Sequence, residues 1–536
     1  MLRRDETNMP GAQWIVLVAL ALMLLPWLGM TLFYSKGEPR EAIVAMSMLQ
    51  SGDWILPLSY GEDMPYKPPF MAWCIAALAW LLNGGVVNEY ISRLPSAIAA
   101  IAMVMGGFAW ARRVNGTRFA MIFALVTACS FEVFRASSAC RVDMILTACM
   151  VGAIYIIDII LGSRDTGLRH KGWLYLAAVV LLTCATLTKG PVGALLPCLV
   201  IGVFRLLRGD GFFVTLFRML GLAFLAMLLT SWWYVLAWQR GGEAFFDLMY
   251  EENIDRLLGN MSYESHVKPF WYNFMTLLAG LLPWTILLLA SCFSLRGIRF
   301  RALKPAGLLS AVAAIAIVGF FCIPASKRSV YLLPAYPFIC YGISCILCGK
   351  NPLRPIRFFA WFMAVLAVIA PLAIVGLQIW PLHALPLAPM RWWIYIVLAL
   401  PLTAGIAWMC NRHSPVGHIL VAVWTILTAY MAVGMPAVLN PRSDYRAIPR
   451  LTADSEATVV SLNTSERPYR YYSLNFYLGD RLRAVSPARA VKYPAGTLLL
   501  CPAKADTTGL GAYYRFEPLL ERSADHRDRA TLGVRK

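Results

Sequence analysis

The sequence predicts a polytopic α-helical membrane protein, with about 13 transmembrane helices and a small α/β domain in its C-terminal part. Of its 536 residues, 59% are hydrophobic and only 14% are charged. Apolar runs of about 20 residues recur along the chain, and this length matches the hydrocarbon thickness of a bilayer. The runs are continuous rather than alternating, which favours membrane helices over the strands of a membrane barrel.

The charge of the connectors predicts the orientation of the chain. Every second connector is basic, as with Arg112 and Arg113 after one run and Arg205 and Arg208 after a later one. Because cytoplasmic loops collect Lys and Arg, the N-terminus and these connectors are expected in the cytoplasm. The same rule accounts for most of the net charge of +19, so no nucleic-acid partner is expected. The predicted spans lie near 13–34, 93–111, 119–134, 144–162, 173–188, 190–204, 219–238, 271–294, 306–323, 331–348, 358–380, 392–410 and 416–436.

We divide the chain into a membrane domain, residues 1–437, and a C-terminal domain, residues 438–536. The first run lacks a cleavage site and is read as an uncleaved helix of a multi-pass bacterial inner-membrane protein. An odd number of spans then places the C-terminal domain in the periplasm. The short apolar stretch Phe70–Leu82 is expected at the outer interface rather than across the bilayer. Candidate strands of the C-terminal domain lie at 458–463, 471–478, 481–486 and 497–502.

The outer loop that follows the first span, residues 35–92, is too long and too polar for a simple connector. Glu38 and Glu41 lie near its start, and Lys67 is followed there by two prolines. The loop is therefore predicted to carry a site at the outer membrane surface.

Basic side chains on the predicted outer side are informative, because the orientation rule disfavours them there. Any one of them is explained by a side chain that reaches up to the interface. Together they suit a pocket for a lipid-linked phosphate. These cations are Lys67, Lys189, Lys268, Lys327 and Arg328.

Carboxylates also face this side. Asp143 begins a transmembrane run, and Glu38 begins an amphipathic helix whose first turn contains Pro39. The helix dipole and helix capping explain an acid at either place. Asp53 and the pair Glu62–Asp63 are typical of turns. Carboxylates and cations in one cavity equally suit a group transfer, in which a carboxylate takes the acceptor's proton and the cations neutralise the leaving phosphate.

The loop sequence GEPREAIVAMSMLQSGDWILPLSYGEDMPYKPPFMAW resembles the first outer loop of the GT-C membrane glycosyltransferases of the protein O-mannosyltransferase superfamily. The similarity is greatest to the bacterial branch that contains the lipid A aminoarabinose transferase, and it continues through VDMI, LTKGPVG, ENIDRL and SKRSVYLLPAYP. The ordered set is specific, whereas each motif alone is weak. The chain departs from the family pattern at Gly37 and Tyr66, where that pattern has acids.

The resemblance implies a GT-C fold and an inverting glycosyltransferase, which moves a sugar from polyprenyl (undecaprenyl) phosphate to lipid A, another lipid or a glycan. It implies Glu38, Glu41 and Asp143 as the acids that activate or orient the acceptor. No cofactor is expected, and the sequence supports no divalent metal site, since Asn253 stands where the family has a histidine. The residues implied for the donor phosphate are Arg40, Lys67, Lys189, Lys327, Arg328 and Tyr331.

Other functions stay open at this point. A protein O-glycosyltransferase or O-mannosyltransferase would differ in its acceptor. A transporter or flippase of lipid-linked sugars would need ionisable residues in mid-span and often internal repeats, and the predicted spans are almost free of charge at their centres. A non-enzymatic scaffold would leave the outer carboxylates and lysines unexplained. The sequence names neither the sugar, the acceptor nor the oligomeric state.

Overall fold

Apolar runs in lipid must pair their own backbone N–H and C=O groups, and helices do this within one segment. A computed structural model of the chain describes residues 11–35, 37–65, 67–162, 168–255, 267–291, 304–349, 354–380, 391–410, 414–443, 458–463, 471–502, 507–518 and 530–536. The first helices are α1 (Ala12–Leu24), α2 (Gly37–Ser51), α3 (Phe70–Leu82), α4 (Glu89–Asn115), α5 (Thr117–Ala128), α6 (Phe131–Ser137), α7 (Val142–Gly162), α8 (Leu168–Lys189), α9 (Val192–Leu207) and α10 (Phe212–Tyr250). The later membrane-domain helices are Tyr272–Gly280, Trp284–Ser291, Pro305–Cys322, Tyr336–Leu347, Arg354–Ile379, Trp392–Cys410, Pro415–Ala429 and Met435–Ser443.

These helices confirm a multi-pass α-helical membrane protein. Among the described residues, nine helices are long and apolar enough to cross a bilayer, or up to eleven if each of two bent pairs is one span. The bend is 70° between α5 and α6, and 109° between Tyr272–Gly280 and Trp284–Ser291. The count of about 13 spans stays a prediction. Helix α3 has only 13 residues, which fits the expectation that it does not cross.

The connectors that were predicted to be outer gather at one end of the bundle. Glu38 of α2 accepts a hydrogen bond from the backbone N–H of Cys140, in the connector between α6 and α7. Asp143, in the first turn of α7, contacts Lys189, the last residue of α8. These contacts bring parts of the chain that are far apart in sequence to one surface. That this surface faces the periplasm stays a prediction.

The C-terminal part of the chain contains a five-stranded sheet in the order β2-β1-β3-β5-β4. Strand β1 is parallel to β2 and β3, whereas β5 is antiparallel to β3 and β4. This confirms a small α/β fold, and the domain boundary at residue 438 stays a prediction. The strands are β1 (Val459–Leu462), β2 (Arg483–Val485), β3 (Leu498–Pro502), β4 (Tyr514–Pro518) and β5 (Ala530–Arg535).

One predicted strand is wrong. Residues 471–478 contain the helix Tyr472–Tyr477, not a strand. The side chain of Asn475 is fully buried; its amide donates to Asp480 at 2.6 Å and its oxygen accepts from the N–H of Leu482 at 2.9 Å. These local, buried bonds hold a helical turn although the aromatic residues favour a strand, because strand propensity depends on context and is easily outweighed. Strands β4 and β5 were not predicted.

Candidate active site

A polar cavity of about 360 Å³ lies between α2, the 59–69 part of the first outer loop and α10. Its wall combines charged side chains with a small apolar patch from α3 and α10, and one tyrosine of the C-terminal part closes it. The lining residues are Arg40, Glu41, Val44, Ser59, Glu62, Asp63, Met64, Pro65, Lys67, Pro68, Pro69, Ala72, Ala244, Leu248 and Tyr472.

Lys67 and Glu41 form an ion pair on this wall, with Lys67 Nζ 2.8 Å from Glu41 Oε1. Arg40 lies beside the same oxygen, at 3.9 Å. Burial would raise the pKa of the Glu41 carboxyl, but the charges of Lys67 and Arg40 outweigh it and lower that pKa below its usual value. Burial lowers the pKa of Lys67, although Glu41 opposes the shift. Glu41 is therefore ionised at neutral pH and is a weak base.

Asp143 and Lys189 form a second ion pair next to the first, with Lys189 Nζ 2.6 Å from Asp143 Oδ1. Lys189 Nζ also lies 4.1 Å from the centre of the Tyr331 ring, which places the cation on an aromatic face. The negative charge of Asp143 also acts on Lys67, raising its pKa. The two pairs therefore belong to one electrostatic unit, although Asp143 and Lys189 do not line the cavity itself.

Lys327 and Arg328 occupy the turn before the short helix Ser329–Ala335. Lys327 is buried, and its Nζ donates to the carbonyl of Pro324 at 2.7 Å. Arg328 lies close enough to Arg40 for its charge to lower the pKa of that guanidinium, an effect secondary to the burial of Arg40. Its Nε is buried and has no hydrogen-bond partner among the described residues. An anion beside Arg328 would satisfy this donor.

Glu38 lies apart from these cations, in a buried ion pair with Arg93 of α4. Both side chains are 2% exposed, and Arg93 Nε lies 2.9 Å from Glu38 Oε1. The same oxygen accepts the N–H of Cys140 at 3.1 Å, and Oε2 lies 3.4 Å from Arg93 Nη2. Both oxygens are thus already occupied. Its catalytic role stays a prediction, and this geometry favours a structural one.

Arg141 lies against Gly37, one of the two departures from the family pattern. A Cβ atom on Gly37 would lie only 2.9 Å from Arg141 Nη2, so the guanidinium packs directly against the glycine. Arg141 also acts electrostatically on Arg40, lowering its pKa further. The position where the pattern has an acid therefore lies against a cation here.

Several residues of the site were missed or interpreted differently from the sequence. Arg93 and Arg141 carried a usable signal, since each is an isolated cation near the end of an apolar run. Glu62 and Asp63 form the predicted turn, where the N–H of Asp63 bonds to the carbonyl of Ser59 at 2.8 Å, but they also line the cavity. Nothing in the sequence marked Tyr472 as a lining residue, because only the tertiary fold brings it to the cavity. Tyr66 lies outside the described residues.

The arrangement suits an anionic ligand. Two basic side chains, Arg40 and Lys67, and three carboxylates, Glu41, Glu62 and Asp63, line the cavity, and the charges of Arg328 and Arg141 also act on Arg40. Arg and Lys donors bind phosphate through charge-assisted hydrogen bonds. In the described ranges, no group of three His, Cys, Asp or Glu side chains is placed to hold a metal ion. The arrangement can therefore bind a phosphate at Arg40 and Lys67, beside the ionised carboxylate of Glu41.

Comparisons with known proteins bear on the family resemblance of the chain. The family described as dolichyl-phosphate-mannose-protein mannosyltransferase matches residues 66–235. The undecaprenyl phosphate-alpha-4-amino-4-deoxy-L-arabinose arabinosyl transferase of Edwardsiella ictaluri is 28% identical over 69% of this chain and 68% of its own length. The transferase of the same name from Erwinia tasmaniensis is 26% identical over 75% of this chain and 74% of its own.

A solved structure shares the whole fold. The crystal structure of ArnT from Cupriavidus metallidurans bound to undecaprenyl phosphate matches with a TM-score of 0.76 at 20% identity, covering 98% of each chain. Its apo structure matches with a TM-score of 0.75. In sequence and in fold, the chain resembles the GT-C membrane glycosyltransferases, and among them the aminoarabinose transferases.

Proposed function

We propose that this protein is an inverting glycosyltransferase of the bacterial inner membrane, which moves a sugar from a polyprenyl-phosphate donor to a lipid or glycan acceptor at the outer face. The observation that carries the proposal is the cavity wall on which Arg40 and Lys67 flank Glu41. The names of the similar transferases, and the undecaprenyl phosphate bound by the similar ArnT, support a lipid-linked phosphate as the ligand.

In the proposed reaction, the donor phosphate binds among Arg40, Lys67 and Arg328. The acceptor oxygen attacks the anomeric carbon from the face opposite the phosphate, and the bond from that carbon to the phosphate oxygen breaks. The polyprenyl phosphate leaves with the electron pair, and the cations stabilise its added negative charge. We assign Lys189 and Lys327 to further positive charge near this surface, with the Tyr331 ring holding the Lys189 ammonium in place.

The carboxylates favour one kind of acceptor. Lys67 and Arg40 lower the pKa of Glu41 in spite of burial, and Asp143 is held by Lys189, so both are weak bases. A weak base serves an acceptor that is already ionised, such as the phosphate of lipid A, better than a sugar or serine hydroxyl. We therefore propose that Asp143 and Glu41 orient the acceptor, and that Glu38 holds α2 in place.

The test is transfer by the purified protein in phospholipid vesicles, supplied with undecaprenyl-phosphate sugars and with lipid A, a glycan or a peptide as acceptor. Mass spectrometry of lipid A and periplasmic proteins from a deletion strain identifies the acceptor in the cell. We expect a mass loss in lipid A or another envelope lipid or glycan. Donor binding without any transfer product would favour the flippase class, and loss of a protein-linked sugar would favour a protein acceptor.

A further inference from the structure

We infer that the C-terminal domain is a working part of the candidate site, and that Asp480 is a positioning residue that clamps two walls of the cavity at once. The clamp consists of Asp480, Ser47 of α2 and Tyr60 of the first outer loop. The identity of the ligand in the cavity rests on the proposed function. The clamp itself rests on contacts in the structure that do not depend on what the cavity binds.

Asp480 connects the C-terminal domain to both walls through its two carboxylate oxygens. Oδ2 accepts the hydroxyl of Ser47 at 2.8 Å, and Oδ1 accepts the N–H of Tyr60 at 3.0 Å. The side chain is only 5% exposed, so these are buried, charge-assisted hydrogen bonds. Asn475 donates to Oδ1 at 2.6 Å and so fixes the carboxylate within its own domain.

The backbone at the clamp is unusual on both sides. Asp480 has φ +58° and Tyr60 has φ +56°, in the left-handed region that side chains other than glycine rarely adopt. Such conformations cost energy and persist only where the surrounding contacts hold them. Here each residue of the pair supplies the contact that holds the other.

Tyr60 also joins the two parts by packing. Its side chain is 1% exposed and lies in one apolar cluster with Leu474, Leu482 and Leu500 of the C-terminal domain. Its ring meets that of Tyr472 edge to face, with 5.8 Å between the ring centres. The first outer loop is thus partly a core element of the C-terminal domain.

The clamped elements are the ones that shape the cavity. Ser59, next to Tyr60, lines it, and so does Tyr472. The guanidinium of Arg40 lies 6.0 Å from the centre of the Tyr472 ring. Ser47 lies on the same helix as Arg40. Removal of the Asp480 carboxylate is therefore expected to loosen both the α2 wall and the 59–63 wall of the cavity.

The first test measures the clamp without reference to activity. Hydrogen exchange is compared between the wild-type protein and D480A, D480N, S47A and S51A, all in the same vesicles. Ser51 is the matched control for Ser47, because its hydroxyl donates within α2, to the carbonyl of Ser47. We expect faster exchange around residues 41–47 and 59–63 in D480A, a smaller change in D480N and S47A, and none in S51A. D480N keeps an oxygen for Tyr60 and an amide for Ser47.

The second test measures the effect on the site. In D480A we expect the KM for undecaprenyl-phosphate sugar to rise about tenfold, with a smaller change in kcat, because the phosphate-binding wall is displaced while the reacting groups are kept. D480N restores most of the affinity. A merely structural residue would lower the yield of folded protein and leave the KM of the folded fraction unchanged.

The outcomes separate the two proposals. Unchanged exchange in folded D480A overturns the clamp. Faster exchange with an unchanged donor KM overturns the role of the C-terminal domain in the site. If the wild-type protein neither binds nor transfers a polyprenyl-linked sugar, the proposed function falls, and the exchange experiment alone decides the clamp. If D480A does not fold, S47A and D480N carry the same comparison.

Discussion

Arg93 holds Glu38 in a closed, buried pair at the junction of the first outer loop and α4. In addition to the contacts with Glu38, Arg93 Nη1 donates to the carbonyls of Leu28 and Thr31, in the segment between α1 and α2. The Arg93 guanidinium also covers the ring of Phe33, with 5.1 Å to the ring centre. One cation therefore ties the end of the first apolar helix, the start of α2 and α4 into a rigid unit.

We predict that Glu38→Gln destabilises the folded protein by about 3–5 kcal/mol, because it leaves Arg93 buried without a counter-charge. The measurement is thermal or denaturant unfolding in detergent, together with the specific activity of the folded fraction. Glu517→Gln is the matched control, since its pair with Arg515 is exposed and such pairs contribute little. An unchanged stability with activity abolished would instead assign Glu38 a direct catalytic role.

Asp143→Asn is expected to lower kcat by about 10²-fold, as for loss of a group that orients the acceptor for attack. The KM for the donor should change less, because Lys189 keeps its place on Tyr331. Steady-state kinetics with varied donor and acceptor measure both. Asp158→Asn is the control, because Asp158 lies near the other end of the same helix and accepts a bond from Trp110. Full activity in D143N would remove Asp143 from the mechanism.

Lys67→Ala should weaken binding of undecaprenyl phosphate by about 10–100-fold, since a hydrogen bond between charged groups contributes about 1.5–3 kcal/mol. Binding is measured directly, with the phosphate lipid alone, so that chemistry does not enter. Arg515→Ala changes the net charge equally but at an exposed position of the C-terminal domain. Equal losses in both variants would mean that overall charge, not the cavity, attracts the lipid.

The pH dependence of lipid binding should report Lys67. Only the protonated amine binds phosphate well, so affinity is full below the pKa of Lys67 and is lost as pH rises through it. Burial lowers that pKa, and Glu41 opposes the shift, so the loss occurs at lower pH than for a free lysine. In Glu41→Gln the midpoint should move further down. In Lys67→Arg the alkaline loss should vanish, because arginine stays charged; a midpoint common to all three proteins would assign the titration to another group.

The sequence was informative where the signal was local. The acids of α2, Asp143 at the start of α7 and Lys189 at the end of α8 could each be located, because the cost of placing charge beside lipid makes such residues stand out. Their pairing could not be read, since Asp143 and Lys189 are 46 positions apart and only helix packing brings them together. The same holds for Glu38, whose ion-pair partner Arg93 lies 55 positions away.

The C-terminal domain was predicted less well for a physical reason. Asp480 follows a glycine and resembles an ordinary turn residue, and nothing local indicates that it is buried against α2. The aromatic residues before it favour a strand by propensity, yet Asn475 and its buried hydrogen bonds hold them in a helix. Sequence patterns rest on propensity and periodicity, which show neither the buried bonds of Asn475 nor the contacts of Asp480 with Ser47 and Tyr60.

The bond between Tyr60 and Asp480 has a consequence for biosynthesis, because it joins residues 420 positions apart. Membrane proteins are inserted as they are synthesised, so the first outer loop is in place long before the C-terminal domain emerges. During that interval the loop carries its charges but lacks the domain that fixes them. Under the proposed function, the cavity wall that Asp480 and Tyr472 complete exists only on a finished chain, so we expect a ribosome-bound intermediate not to bind the donor lipid.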